Sequence, residues 1–117
     1  MKVVYIAGPF RAATPWLIEQ NVRAAETVAL EVWRMGAAAL CPHMNTRHFQ
    51  DCAPDAVWIE GTLELLRRCD AVLVQGNWMM STGTRGEIDE ARKLEKPVFF
   101  NTTELRWWIE EKAGRQS

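Results

Sequence analysis

The stretch Ala71-Val72-Leu73-Val74, followed after a short loop by Ser81-Thr82-Gly83-Thr84-Arg85-Gly86-Glu87, decides how the rest of the chain is read. Four apolar residues in a row suit a strand buried on both faces, the condition of a parallel sheet covered by helices. Ser81 or Thr82 can cap a helix running through Ile88, Ala91 and Leu94. Strand, glycine-flanked turn and helix start together could receive a sugar or a phosphate, because free amides at a helix N-terminus favour negative charge. The same field keeps a nearby carboxylate ionised, and Glu87 falls in the expected first turn. Such a glutamate either stabilises its own helix or acts as a nucleophile, and this segment alone leaves both open.

Outward from this stretch, strands alternate with helices. Lys2 to Ala7 reads as a buried strand broken by Gly8-Pro9, and a long helix begins near Pro15 and ends at Gly36. Its apolar stripe is expected at 17, 24, 28, 32 and 35, with Asn21 on the same face in need of a partner. Ala37 to Cys41 is a second strand stopped by Pro42, and residues 43 to 53 read as a polar loop. A helix over Pro54 to Arg68 should carry Trp58, Leu65, Leu66 and Cys69 inward. Lys96-Pro97 opens a fourth strand, Val98 to Phe100, and Thr102 or Thr103 should cap a last helix holding Trp107, Trp108 and Ile109. This alternation predicts an α/β fold: a parallel sheet of about four strands, order 2-1-3-4, with helices on both faces.

The length of 117 residues fits one domain, 1–117, with one site. A net charge of -1 with interspersed signs offers no footprint for a nucleic-acid polymer. No segment reaches membrane-spanning length. Cys41, Cys52 and Cys69 form no CxxC pair, and their odd number without a signal peptide predicts reduced thiols and a cytoplasmic location. His43, His48, Asp51 and Cys52 have a spacing that fits no closed metal site, so no metal is expected.

Ligands of such sheets bind beyond the carboxyl ends of the strands, where strand order reverses. Order 2-1-3-4 puts that point between the first and third strands, so the loops Gly8 to Thr14 and Gly76 to Gly86 should meet there. Their residues are similar to those of a known group. Val4-Tyr5-Ile6-Ala7-Gly8-Pro9-Phe10-Arg11, Asn21 with Ala24 and Ala25, Cys41-Pro42-His43, Cys69-Asp70-Ala71-Val72 and Ser81-x-Gly83-x-x-x-Glu87-x-x-x-Ala91 follow in order over most of the chain. The set resembles the nucleoside 2-deoxyribosyltransferase-like superfamily, including 2'-deoxynucleoside 5'-monophosphate N-glycosidases and small phage and bacterial relatives of the DUF4406-like kind.

The resemblance implies a three-layer flavodoxin-like domain without a cofactor. It implies Glu87 as nucleophile with Tyr5 beside it, and a first loop of Gly8, Pro9, Phe10 and Arg11 that holds the sugar or phosphate end, with Gly83 completing the motif. An N-glycosidic bond breaks through an oxocarbenium-like state that an opposed carboxylate can stabilise or capture as an ester. Water or a second base would then release the ester. The other reading of Tyr5 is a core aromatic, and of Arg11 a solvated loop cation. Ser81 stands where free-nucleoside transferases of the superfamily often carry an acid and monophosphate glycosidases carry Ser. A hydroxyl can donate to phosphate, and Arg11 suits it too. The expected ligand is therefore a nucleoside 5'-monophosphate or a similar small nucleotide or nucleoside. Thr62 departs from the pattern, since many members carry there an Asp that binds sugar hydroxyls. The alternative is a nucleotide-binding module without turnover. Asp70 reads as mainly structural, Asn21 as holding the Gly8 loop, and His43 as a loop residue near the base pocket. Trp78-Met79-Met80 reads as a mixture of stacking wall and interface. Trp107 and Trp108 point about 100 degrees apart on a helix, so at least one should be partly exposed. A homodimer or higher homo-oligomer is expected.

Overall fold

Two strands without a charged residue, β1 (Val3–Ala7) and β3 (Ala71–Val74), pair in parallel at the centre of the sheet, with Val4 opposite Ala71 and Ala7 opposite Val74. β2 (Ala38–Leu40) flanks β1 and β4 (Val98–Phe99) flanks β3, so all four strands are parallel in the order β2-β1-β3-β4. This is a computed structural model, and it describes residues 1–49 and 51–116. Alternation along the strands divides the core in two. Val4, Ile6 and Leu73 face α1 (Pro15–Arg34) and α5 (Thr102–Gln116) through Ala25, Ala29, Val32, Leu105 and Ile109. Tyr5, Ala7, Val72 and Val74 face α3 (Asp55–Arg67) and α4 (Thr82–Lys93) through Leu66, Ile88 and Ala91. The chain is a three-layer, flavodoxin-like α/β domain, as its alternating pattern predicts. Among the described residues no helix is long and apolar enough to cross a membrane.

Several local expectations are corrected. Of the expected stripe of α1, Val28, Val32 and Met35 pack on the core, but its fully buried residues are Val22, Ala25, Ala29 and Val32, while Leu17 is 45% exposed. The two stripes share Val32, and the one richer in small side chains faces the sheet, where alanines let the helix lie close. Residues 42 to 45 are not loop but one helical turn, α2 (Pro42–Asn45), with Pro42 in its first position and His43 buried. Leu94 is the C-cap of α4 and not part of its buried face. Neither Thr102 nor Thr103 caps α5: the Asn101 Oδ1 accepts from the Glu104 N–H at 2.9 Å.

Beyond the strands, the Gln75 N–H donates to the Ala7 carbonyl at 2.8 Å, extending the central pairing into the loops. A Cβ on Gly8 would lie 2.8 Å from the Gln75 carbonyl oxygen, and one on Gly76 (φ +73) 3.1 Å from Pro9 Cδ. The two loops thus pack against each other at Gly8, which meets the Gln75 backbone, and at Gly76, whose positive φ and nearness to the Pro9 ring disfavour a side chain. Gly8→Ala should lower stability by about 1–3 kcal/mol through overpacking, measured as the urea midpoint. Gly86→Ala, whose Cβ meets nothing within 4 Å on α4, should instead raise it by up to about 1 kcal/mol.

Candidate active site

Tyr5 sits in the middle of β1 with its side chain on the α3 and α4 side, fully buried. Its hydroxyl makes no hydrogen bond of standard geometry, but Glu87 and Thr62 both lie close enough to act on it electrostatically. Burial, then the Glu87 carboxylate, push the phenol far above its ordinary range, so Tyr5 keeps its proton and can serve only as a donor or a weak acceptor. Glu87 is pushed up from 4.5 to about 7 by burial, partly offset by the Tyr5 hydroxyl, which favours the charged form.

This overturns one expectation. α4 begins at Thr82, so Glu87 lies in its second turn, and no acidic residue occupies the first. The helix dipole falls off within one turn, and at this depth the loss of solvent outweighs it. Glu87 is therefore a carboxylate poised near neutrality, not one held ionised.

The start of α4 is built around Ser81. Its Oγ accepts from the Thr84 N–H at 3.2 Å and from the Thr84 hydroxyl at 2.8 Å. A Cβ on Gly83 would meet nothing within 4 Å, which leaves open space over the first turn. Thr84 was not singled out by the sequence, although its spacing of three residues from a capping serine is the signal that could have found it.

The first loop is held from two sides. Asn21 Nδ2 donates to the Phe10 carbonyl at 3.1 Å, and His43 Nε2 lies 2.9 Å from the Pro9 carbonyl oxygen, to which it must donate. The Phe10 ring meets the His43 ring edge-on at 5.5 Å. His43 thus sits beneath the loop, and burial lowers its pKa, keeping it neutral. Arg11 pairs with Asp55 at the start of α3, 2.7 Å apart and both well exposed. Asp70 Oδ2 accepts from the Val3 N–H at 2.7 Å, fastening the end of α3 to β1.

Thr62 Oγ1 donates to the Ile59 carbonyl at 3.1 Å. Thr62 also lines a cleft of about 350 Å³ with Thr46, Trp58 and Gly61, and so lies close to both that cleft and the Tyr5 hydroxyl. Trp58 is half-buried against the Phe49 ring at 5.8 Å. Trp78 packs on Phe100 at 5.2 Å and against the Tyr5 side of the core, while Met79 and Met80 project into solvent. Trp107 is 78% exposed, and Trp108 packs on Phe99. Among the described residues no three His, Cys, Asp or Glu side chains gather as a metal site.

No curated protein matches the chain significantly. Among solved structures it is similar to a 2-deoxyribosyltransferase from the psychrotolerant bacterium Bacillus psychrosaccharolyticus. The two are 23% identical with a TM-score of 0.60, over 82% of this chain and 69% of that one. At this identity the likeness establishes the fold. The model of a domain of unknown function, DUF7768, matches residues 2–101, and the chain belongs to that family.

Proposed function

We propose that the protein cleaves the N-glycosidic bond of a nucleoside 5'-monophosphate or similar nucleotide, with Glu87 as nucleophile and water or a second base as acceptor. The observation that carries this reading is the Glu87 carboxylate, buried against the Tyr5 hydroxyl and pushed up to about 7. A structural glutamate gains nothing from such a place, whereas a nucleophile withdrawn from water is more reactive toward a developing cation. Tyr5, which cannot ionise here, holds the carboxylate in its attacking rotamer. Ser81 and Gly83 receive the phosphate, with Arg11 reaching it when its exposed pair with Asp55 opens. Kinship with the DUF4406-like glycosidase relatives is part of this proposal, and the fold shared with a 2-deoxyribosyltransferase supports it.

The second reading, a nucleotide-binding module, rests on Thr62, whose hydroxyl is already committed to Ile59. Release of free base, followed by chromatography of a deoxynucleoside monophosphate panel, separates the two. Turnover in the enzyme reading rises with pH through about 7 as Glu87 ionises.

Glu87→Gln should abolish base release while ligand binding persists. The same variant should also be the more stable protein above pH 7. Because burial raises the Glu87 pKa from 4.5 to about 7, the folded state holds this proton more tightly than the unfolded chain. The stability it contributes is complete below about pH 4.5 and lost as pH rises through about 7. The gain for Gln should be near zero at pH 4 and reach up to about 3 kcal/mol at pH 8, measured by urea unfolding. Undiminished base release by the Gln variant excludes Glu87 as nucleophile.

The assembly is proposed to be at least a dimer, since Trp107, Trp16 and Trp33 are 78%, 71% and 55% exposed. Sedimentation should show a species of twice the chain mass at micromolar concentration, and a monomer throughout would contradict it.

A further inference from the structure

We infer that Thr84, a buried residue in the first turn of α4, sets the hydrogen-bond polarity of Ser81 and so makes the site select a phosphate over a free hydroxyl; this rests on the phosphate reading above. Thr84 is 1% exposed. Its hydroxyl proton has one acceptor among the described residues, the Ser81 Oγ at 2.8 Å. Were the bond reversed, a buried proton would be left without a partner, at a cost of about 1–3 kcal/mol. Thr84 therefore donates.

The Thr84 N–H donates to the same oxygen at 3.2 Å. A hydroxyl offers two lone pairs and one proton. With both lone pairs filled from below, the half-buried Ser81 can only donate its own proton outward, away from Thr84. An acceptor-only group such as a phosphate oxygen satisfies it fully, and the bond is strengthened by the ligand's charge. A ligand hydroxyl in the same place accepts that proton but must find another acceptor for its own. Thr84 acts through Ser81 and never touches the ligand, so it is a positioning residue that determines specificity.

The variants are Thr84→Val, which keeps the shape and the backbone N–H but removes the hydroxyl donor, Thr84→Ser, which restores it, and Thr84→Ala, should the valine fail to fold. Each is compared with the unmodified protein by tryptophan fluorescence titration with dAMP, dGMP, dCMP and dTMP and with the four corresponding nucleosides. The expected result is at least a fivefold loss of the monophosphate preference in Thr84→Val or Thr84→Ala, with nucleoside affinity little changed and Thr84→Ser within twofold of the unmodified protein. A preference that survives both Val and Ala overturns the inference and leaves the phosphate reading standing. Equal loss for nucleosides and monophosphates also overturns it, because a merely structural role would act on both. Absence of any monophosphate preference in the unmodified protein removes the phosphate reading itself, and the inference with it.

Discussion

The parallel pairing of β1 with β3 is the constraint on which the rest depends. Four residues of each strand are in register, and the Gln75 amide carries the ladder one step further onto Ala7. Because strand order reverses here, the chain leaves the two strands in opposite directions along the sheet, and the loops above them must share one small space. Glycine at 8 and at 76 is required by that crowding. The pairing also fixes Tyr5 opposite Val72, on the face that α4 covers with Ile88 and Ala91. Glu87, one residue before Ile88, is thereby brought to the buried phenol.

Bringing a carboxylate there works against folding. The chain accepts a group that titrates near neutrality in a place where an apolar residue would pack without penalty. Local polar support does not remove the conflict, since the Tyr5 hydroxyl offsets only part of the desolvation. A conflict between local chemistry and the global fold that persists at one position, while the surrounding core is apolar, is the pattern expected of a functional residue.

The architecture was legible because the strands at 3–7 and 71–74 are short, apolar and bounded by glycine or loop residues, so period and length agreed. The face of α1 was legible only in part: Val28, Val32 and Met35 pack on the core as expected, but alanines on neighbouring faces give a pattern that two rotations satisfy almost equally, and packing against the sheet selects Ala25 and Ala29. The helix begins at the expected cap, Ser81, but Glu87 is six residues beyond it and so lies in the second turn, where the dipole has already fallen off and burial decides. Asn21 was legible, since a polar residue on an apolar stripe needs a partner and the Gly8 loop supplies the Phe10 carbonyl, whereas His43 reads as loop and is instead buried in a helical turn beneath Pro9. Thr84 carries only the signal of its spacing from the capping Ser81, because a threonine inside a helix is ordinarily neutral and the direction of its proton is settled by burial.

The polar groups around the crevice have complementary directions. Ser81 and Tyr5 have protons to give, the ionised Glu87 has only lone pairs, and Thr62 has already used its proton on Ile59. Arg11 stands outside this set in a pair with Asp55 that is mostly in solvent. An exposed pair of this kind is worth about 0–1 kcal/mol, whereas a bond from the guanidinium to a dianionic phosphate is charge-assisted and stronger. In the proposed reading, a phosphorylated ligand would draw Arg11 away from Asp55 at small cost, and since Asp55 opens α3, that exchange would be felt at the end of the helix that carries Thr62. The exposed ion pair is in this sense the part of the proposed site least determined by the fold.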